Sequence, residues 1–456
     1  MIKELSICGF RGFGEKQALQ FALPNGQIGS GLTIITGANN SGKTTIIESI
    51  RAFNGYYGNT PSFSEGRRNK KANERVELII KDKNGNESSI KTVSHGGSST
   101  VKEGDIPFQC YIVQSRRAIP YEFGHSNENK DSYIRNAQVL ENQRDSSLSN
   151  YQARLFQIEK EKNKFDKILI QVLGGNFDWT IEQRDSGSYY IKCMNQSVTH
   201  SSEGIGDGIW SIFTICAALF DAEDNSVIVI DEPELSVHPA LQKRLLNLLL
   251  SYSDRMQIII STHSPYFINW EAITAGAQLV RVVKEEADTK CYTITDTTRS
   301  AFKNLMKDVN NPHVLGIEAN EALFLEDNII LVEGQEDVVI LNKICRELKL
   351  ELNGSFYGWG VGGAPKMEAF LMLFQELGYK HVVAILDGDK KDDAERLKDR
   401  FTQFTIITLV ADDIRDKRCR EIKEKNGITT EKGQIKPEFV EYAKKLISDI
   451  NSAFVL

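Results

Sequence analysis

The 456-residue chain lacks any apolar run long enough for a membrane-spanning helix. Such a helix needs roughly 18 consecutive apolar residues, and no segment approaches that length. The opening residues, MIKELSICGFRGF, contain neither the apolar core nor the cleavage site of a secretory signal. We therefore expect a cytoplasmic protein that does not act at a membrane.

Closely spaced cysteine pairs are also absent, because none of the seven cysteines belongs to a C-x-x-C motif. This spacing argues against a zinc site and against a disulfide framework. Buried thiols are the better interpretation. The cysteines are Cys8, Cys110, Cys193, Cys216, Cys291, Cys345 and Cys419.

The chain has no excess of positive charge, since its formal net charge is −7. A general attraction to phosphate is therefore excluded, and a nucleic-acid surface would have to come from local Lys and Arg clusters. Two segments are candidates, although a solvated loop or helix face explains each of them equally well. They contain Arg67, Arg68, Lys70 and Lys71, and Arg415, Lys417, Arg418 and Arg420.

The length exceeds the size at which a single core usually stops growing, so we expect two domains. Strand-like and helix-like segments alternate over 202–285 and again from about 327, as partly parallel α/β sheets require. Residues 131–173 contain no proline or glycine and predict helices that leave the first domain. We predict domains at 1–325, with a helical insertion at about 125–175, and at 326–456, with a C-terminal helix.

The segment GANNSGKT at 37–44 fits the motif G-x-x-x-x-G-K-[ST] and stands between a strand-like and a helix-like segment. In such a loop, backbone N–H groups hold phosphates, Lys43 reaches the β- and γ-phosphates, and Thr44 binds Mg²⁺. The sequence therefore predicts an ATP site. Its loop residues are Gly37, Asn39, Asn40, Ser41, Gly42, Lys43, Thr44 and Thr45.

A pair of acids follows the apolar strand at 227–230. An acidic pair after a strand is by itself more typical of a helix N-cap. Here the next apolar strand, 257–261, is followed by His263, which is placed to sense a γ-phosphate. We predict that Asp231 binds the metal ion and that Glu232 orients the attacking water.

These motifs resemble the nucleotide-binding domains of the ABC superfamily, in the branch that holds RecF, SMC-type and OLD proteins. The turn GFRGF at 9–13 resembles the opening of that branch, and Gln114 resembles its metal-sensing glutamine. The segment SEGIGDG at 202–208 resembles the signature loop, although a glycine-rich turn capping a helix is the alternative. The resemblance implies that two protomers enclose two ATP molecules, each contributing Ser202 and Gly204 to the other's site. We expect a homodimer or a higher oligomer.

Carboxylates also follow two apolar strands in the second domain: Glu333 after 329–332, and Asp387 and Asp389 after 382–386. The carboxyl ends of parallel strands meet at one edge of a sheet. Oxygen ligands without histidine or cysteine favour Mg²⁺ or Mn²⁺. An Asp-Gly turn alone is common, so the indication of a metal site comes from its combination with Glu333.

This arrangement resembles the TOPRIM fold of topoisomerases, primases and OLD nucleases. The resemblance implies that Glu333 is an acid/base or a metal ligand and that Asp387 and Asp389 bind metal. Asp337 is an expected extra ligand. Lys366 steadies the scissile phosphate, or is a surface lysine after a turn.

One segment departs from the OLD pattern, which often has a glutamate after the D-x-D motif. This chain has three aspartates there, and which of them completes a second metal site stays open. Asp412 is our first choice, with Asp413 and Asp416 as the alternatives.

An ATPase followed by a TOPRIM module makes the OLD family the nearest resemblance. It implies an α/β protein with an ABC-type ATPase head, containing a mixed sheet, a P-loop and a short helical insertion, followed by a Rossmann-like TOPRIM domain. The implied activity is an ATP- and Mg²⁺- or Mn²⁺-dependent endonuclease on DNA, most readily double-stranded, in antiviral defence, with a regulatory protein or nucleic acid as a further partner. A RecF-type repair factor that does not cut DNA, and a scaffold with an inactive TOPRIM domain, remain alternatives.

Overall fold

The computed structural model of the chain divides into two compact units, Met1–Thr293 and Ile294–Leu456. It describes residues 1–54, 60–106, 108–115, 124–125, 129–137, 151–195, 198–201, 205–307, 314–324, 327–416, 426–430 and 432–454. Within these ranges no helix has the length and apolar character needed to cross a membrane. The sequence-based domain boundary between residues 325 and 326 differs from this division and stays a prediction.

In the described part of the first unit, fourteen strands and seven helices follow one another. The strands are β1 Ile2–Cys8, β2 Gln17–Gln20, β3 Leu32–Thr36, β4 Glu77–Asp82, β5 Glu87–Thr92, β6 Thr100–Glu103, β7 Cys110–Val113, β8 Asp178–Gln183, β9 Tyr189–Asn195, β10 Val198–Ser201, β11 Val227–Asp231, β12 Gln257–Ser261, β13 Gln278–Glu285 and β14 Asp288–Thr293. The helices are α1 Lys43–Ala52, α2 Lys130–Ala137, α3 Tyr151–Lys160, α4 Lys162–Leu173, α5 Asp207–Asp221, α6 Pro239–Tyr252 and α7 Trp270–Ala275.

A six-stranded sheet in the order β14-β13-β3-β12-β11-β7 forms the centre of the first unit. The neighbours from β13 to β7 are parallel, and β14 is antiparallel at the edge. Every residue of β3, β11 and β12 is buried, which explains their largely apolar sequences, because strands covered on both faces need no polar alternation. The mixed α/β sheet expected from the sequence is confirmed.

Two further sheets complete the first unit. An antiparallel sheet in the order β2-β1-β4-β5-β6 shares a core with the central sheet, in which Leu5, Phe10, Ile35 and Ile46 are buried together. The third sheet has the order β10-β9-β8. This third sheet was not predicted from the sequence.

The helical insertion is anchored to α5 by a buried ion pair. Arg154 of α3 donates from Nη2 and Nε to the carboxylate of Asp221 at 2.5 and 3.0 Å, and both residues are less than a tenth exposed. Phe165 of α4 contacts Phe213 of α5 at 4.7 Å between ring centroids. These contacts attach the insertion to the helix that begins at the signature-like segment.

The second unit contains a four-stranded parallel sheet in the order β16-β15-β17-β18 and a two-stranded sheet, β19-β20. The strands are β15 Asn328–Val332, β16 Ser355–Phe356, β17 His381–Leu386, β18 Thr405–Thr408, β19 Asp413–Arg415 and β20 Gly427–Thr429. The described helices are α8 Asp296–Leu305, α9 Ile317–Glu321, α10 Gln335–Leu348, α11 Ala364–Glu376, α12 Lys391–Arg400 and α13 Val440–Ser452. A parallel sheet with helices between its strands is the arrangement expected of a Rossmann-like unit.

Candidate nucleotide and metal sites

The loop between β3 and α1 has the backbone that the glycine motif predicts. Gly37 and Gly42 have φ of 145° and 120°, a region that L side chains rarely adopt. A Cβ on Gly37 would also overlap the carbonyl oxygen of Val282. Glycine is therefore required at both positions, and the exposed Asn39 and Asn40 lie between them.

Lys43 is the first residue of α1, and its side chain contacts this loop. Its Nζ donates to the carbonyl oxygens of Gly37 and Ala38 at 2.9 and 3.0 Å. Burial lowers the pKa of Lys43, and the nearby Glu232 and Asp231 act in the opposite direction. The ammonium group is thus held where the loop would present its N–H groups to phosphates.

Asp231 and Thr44 lie side by side, as the sequence predicts for a metal-binding pair. The hydroxyl of Thr44 donates to Oδ2 of Asp231 at 3.4 Å, and Asp231 is 4% exposed. Ser261, at the end of β12, donates its hydroxyl to the other carboxylate oxygen. A hydroxyl oxygen beside a buried carboxylate is a donor set that fits Mg²⁺.

Glu232 and His263 face each other beyond the strand ends. His263 Nε2 is 3.7 Å from Glu232 Oε1, and Glu232 has a φ of 50°, which is uncommon for a residue other than glycine. Burial lowers the pKa of His263, as does the nearby Lys43, while Asp231 raises it. The site therefore favours a neutral imidazole.

Glu234 holds the backbone beside His263, a role that the sequence analysis did not assign. Its carboxylate accepts from the backbone N–H of His263 at 2.6 Å and from the Thr262 hydroxyl at 2.8 Å. Burial raises the pKa of Glu234 against the effect of these hydrogen bonds. No local motif identifies this contact, which depends on the pairing of β11 with β12.

The remaining predicted nucleotide residues have different outcomes. Gln114 directly follows Val113, which pairs with Ile230, so the strand register places Gln114 beside Asp231. Thr45 is buried in α1. Ser202 and Gly204 lie outside the described residues. At the start of α5, a Cβ on Gly208 would overlap the carbonyl oxygen of Ser236, so this helix approaches the loop after Asp231.

Thr289 of β14 joins the GFRGF turn to the phosphate loop, and the sequence analysis did not detect it. Its hydroxyl donates to the carbonyl oxygen of Ser41 at 3.0 Å, and its N–H donates to the carbonyl oxygen of Gly12 at 2.8 Å. Next to it, Asp288 accepts from the N–H of Gly14 at 3.1 Å. No motif marks Thr289, because its role depends only on where β14 lies.

In the second unit, the parallel pairing of β15 and β17 brings Glu333 and Asp387 together. The Glu333 carboxylate accepts from the N–H of Asp387 at 2.9 Å and from the N–H of Ala364, the first residue of α11, at 3.3 Å. The partial positive charge of a helix N-terminus stabilises an anion there. The two strand ends therefore meet at one edge, as expected.

The other predicted carboxylates lie around this edge. Asp389 is 3.3 Å from its neighbour Lys390. The N–H of Gly388 donates to the carbonyl oxygen of Ala411 at 3.0 Å, which brings the backbone of the exposed Asp412 next to the Asp-Gly-Asp turn. Asp337 lies at the start of α10, where its carboxylate accepts from the N–H of Gly334 at 2.8 Å; its role as an extra metal ligand stays a prediction.

Two of the basic candidates, and Asp416 among the alternative aspartates, are engaged in local contacts. Asp416 forms an ion pair with Lys436 at 2.8 Å, and Arg415 pairs with Glu336 at 2.5 Å. Lys71 pairs with Glu15 and Asp288. The predicted basic residues Lys417, Arg418 and Arg420 lie outside the described part of the chain.

In the described part of the chain, no three His, Cys, Asp or Glu side chains are close enough together to form a complete metal site. Glu333, Asp387 and Asp389 nevertheless share one sheet edge, and all of their donor atoms are carboxylate oxygens. This chemistry fits Mg²⁺ or Mn²⁺ better than a softer metal. The donor set fits, although it is not assembled into a closed cluster.

Two family models match the chain in succession. One, described as "AAA domain, putative AbiEii toxin, Type IV TA system", matches residues 32–269, and one described as "Overcoming lysogenization defect protein-like, TOPRIM domain" matches residues 324–389. The first match covers more than half of the chain. The second contains Glu333, Asp387 and Asp389.

Individual relatives are also similar to parts of the chain. The chain is 29% identical to the OLD nuclease of Thermus scotoductus over 36% of its own length and 31% of the relative, and 28% identical to Endonuclease GajA of Bacillus cereus over 37% and 27%. It is 24% identical to the Septu protein PtuA of Bacillus thuringiensis over 63% of its own length and 77% of that protein. The matches therefore span less than a third of the first two relatives.

Proposed function

We propose, since the chain belongs to the AAA domain family and carries a TOPRIM domain of the OLD-like type, that it is an ATP-binding and ATP-hydrolysing, divalent-metal-dependent DNA endonuclease. The observation that carries this proposal is the meeting of Glu333 and Asp387 at one edge of a parallel sheet. The same chain contains a complete phosphate loop with Asp231 beside Thr44. ATP turnover and DNA cleavage are thereby assigned to separate units.

In the first unit, the phosphate loop binds ATP and Lys43 neutralises the phosphate charge. Thr44 and Asp231 hold the magnesium ion, and Gln114 stands beside them at the end of its strand. Glu232 orients the attacking water, and His263 faces the γ-phosphate in its neutral form. Magnesium bound here would supply charge stabilisation to the phosphates during transfer.

In the second unit, Glu333, Asp387 and Asp389 hold the divalent ion, and Asp412 is the first candidate for a second ion. A bound Mg²⁺ or Mn²⁺ would activate water and stabilise the leaving oxygen of a phosphodiester. The N–H groups of Asp387 and Ala364 orient the Glu333 carboxylate. Lys366, in the first turn of α11, provides positive charge for the scissile phosphate.

The oligomeric form and biological setting follow from the same family assignment. Two ATPase units would enclose ATP between them, with Ser202 and Gly204 of each protomer reaching the nucleotide of the other. The resemblance to the OLD family implies antiviral defence as the setting. A protein or nucleic-acid partner that controls cleavage belongs to this proposal, as does a cytoplasmic location.

The test is incubation of the purified chain with supercoiled plasmid and Mg²⁺ or Mn²⁺, with and without ATP. We expect nicking or linearisation that is lost in Glu333→Gln and retained in Glu351→Gln, which changes an exposed carboxylate in the same unit. Lys43→Ala should alter only the response to ATP. Equal cutting by wild type and Glu333→Gln would refute the assignment of the TOPRIM site.

A further inference from the structure

Trp359 differs from the other three tryptophans of the chain. Trp179, Trp210 and Trp270 are buried in the first unit, at 0%, 5% and 4% exposure, whereas Trp359 in the second unit is 38% exposed. Tryptophan is usually highly buried because of its large apolar surface. An exposed indole is therefore a candidate binding feature.

The turn that carries Trp359 is rigid. The N–H of Gly360 donates to the carbonyl oxygen of Tyr357 at 3.1 Å, which closes the turn. Tyr357 is fully buried and contacts the rings of Phe370 and Phe374 at 4.8 and 5.7 Å. Gly358 has a φ of 49°, a backbone conformation that favours glycine. The buried Tyr357 ring and the hydrogen bond of Gly360 thus hold the backbone of Trp359 in place.

The same turn is fastened to the residues around Glu333. A Cβ on Gly360 would lie 2.7 Å from Cα of Gly334, so the two backbones touch. The N–H groups of Gly362 and Gly363 donate to the carbonyl oxygen of Glu333 at 2.9 and 2.8 Å. Three Cα–Cα steps, at most about 11 Å in total, separate Trp359 from Gly362. That distance corresponds to about three stacked bases at 3.4 Å each.

Positive charge lies at the same loop. Nζ of Lys366 would be 3.1 Å from a Cβ on Gly362, so the ammonium group lies beside the segment that follows Trp359. A cation next to an exposed aromatic ring matches a nucleic-acid strand, because each nucleotide presents one phosphate and one base face. An apolar protein surface would pack against the indole but would offer no negative charge to the neighbouring ammonium group.

We propose that Trp359 stacks on an unpaired base of the DNA strand whose phosphate lies at the Glu333–Asp387 edge. This inference rests on the proposed function and narrows its substrate, because a base within an intact duplex has both faces covered by its neighbours. The strand at the TOPRIM edge is then single-stranded or locally melted. Trp359 acts by positioning the strand.

Tryptophan fluorescence tests the stacking directly, because the other three tryptophans are buried. The full-length Glu333→Gln chain, which should not cut, is titrated with a single-stranded thymidine oligonucleotide, its abasic counterpart and a duplex of the same length. We expect quenching by the thymidine strand and little by the abasic strand. Trp359→Phe should remove the quenching but keep the affinity, since phenylalanine can still stack.

Affinity provides the second measurement. Trp359→Ala should weaken binding of the thymidine strand about 5- to 100-fold, which corresponds to about 1–3 kcal/mol for one stacked base. The abasic strand should bind equally well to both proteins. Ile28→Ala, which truncates an exposed apolar residue of the first unit, is the matched control and should change neither affinity.

Several results would overturn the inference. Unchanged affinity in Trp359→Ala, or equal quenching by thymidine and abasic strands, would exclude stacking. If Trp359→Ala changed the mass measured by light scattering but left the DNA affinity unchanged, the indole would belong to a protein interface instead. If the wild type fails to cut plasmid but Trp359-dependent quenching is present, the nuclease assignment fails while the stacking assignment stands.

Discussion

Glu232 illustrates what a single residue contributes in this protein. Its φ of 50° places it in a strained region for a residue with a Cβ, beside His263. We expect Glu232→Gln to lower the ATPase kcat by about 100-fold or more, because an amide is a far weaker base than a carboxylate. ATP affinity should change less than about threefold. Steady-state hydrolysis and nucleotide binding measure the two effects.

Glu286→Gln is the control for this prediction. Glu286 is also a glutamate with positive φ, 51°, but it lies in the exposed turn between β13 and β14. Its substitution should leave hydrolysis unchanged. If the two variants lost activity equally, the loss would not be specific to the carboxylate of Glu232, and Glu232 would not be the residue that orients water.

His263 predicts a pH dependence of stability. Burial holds its pKa below the usual 6.5, so the unfolded chain binds this proton more readily than the folded chain. Its contribution to stability is present above pH 6.5 and is lost as the pH falls through the folded-state pKa. Urea unfolding at pH 7.5 and 5.5 should show a smaller pH effect in His263→Gln than in the wild type.

The exposed His95 is the control for the pH series. His95→Gln should keep the wild-type difference between the two pH values. The hypothesis for His263 fails if both variants respond to pH as the wild type does.

The sequence indicated the residues that belong to local motifs but not those that act across the fold. Lys43, Asp231 and Glu333 stand in recognisable strings at strand ends, so their places in the fold could be predicted from the sequence. Ser261 and Thr289 make equally specific contacts with the nucleotide site, through a hydroxyl each. A hydroxyl on a strand has no sequence pattern, and its partner is known only when the strand order is known.

Among the secondary-structure elements and their connections, the turn after β17 needs glycine at position 388 for its backbone path. A Cβ there would overlap the carbonyl oxygen of Ala411, which belongs to the backbone. We expect Gly388→Ala to displace the Asp-Gly-Asp turn and to reduce DNA cleavage at least about tenfold while ATP hydrolysis continues. Plasmid cleavage and ATPase assays on the same preparation measure both.

Gly334→Ala is the matched control, because Gly334 directly follows Glu333 and yet a Cβ on it would meet no atom within 4 Å. Its φ of −154° suits any residue. Cleavage should be retained. Loss of cleavage in both variants would mean that the edge is disturbed by any substitution, whatever its steric fit.

The ion pair between α3 and α5 predicts a stability effect. Arg154→Ala leaves Asp221 buried without its guanidinium partner, and removing one member of a buried pair costs about 3–5 kcal/mol. Urea unfolding of the full chain should show this loss. The double substitution Arg154→Met with Asp221→Leu should lose less than the single one, since no charge is left unpaired. Equal losses would show that the pairing is not the cause.

Elements with one dominant pattern were predicted well. β11 and β12 are continuous apolar runs, and the strands expected at 329–332 and 382–386 are present within a residue of their predicted bounds. The sheet formed by β8, β9 and β10 was not expected. Its strands are rich in polar and charged residues, and strand identity there depends on pairing partners.

For the whole molecule, the order of an ATPase followed by a TOPRIM domain could be inferred from motifs alone, whereas the assembly stays a prediction. We expect ATP to join two chains, and Glu232→Gln to prolong that state because hydrolysis is slowed. Light scattering with ATP and Mg²⁺ should give twice the mass of one chain for Glu232→Gln. Lys43→Ala, which weakens phosphate binding, should keep the mass measured without ATP.

The hydrogen bond between Thr289 and Ser41 spans 248 positions of the chain. A ribosome synthesises the phosphate loop long before it adds the strand that supports it. The growing polypeptide thus carries the nucleotide motif through most of its translation without the support that shapes it. A translation product that ended before residue 289 would present the phosphate loop without this hydrogen bond to Ser41.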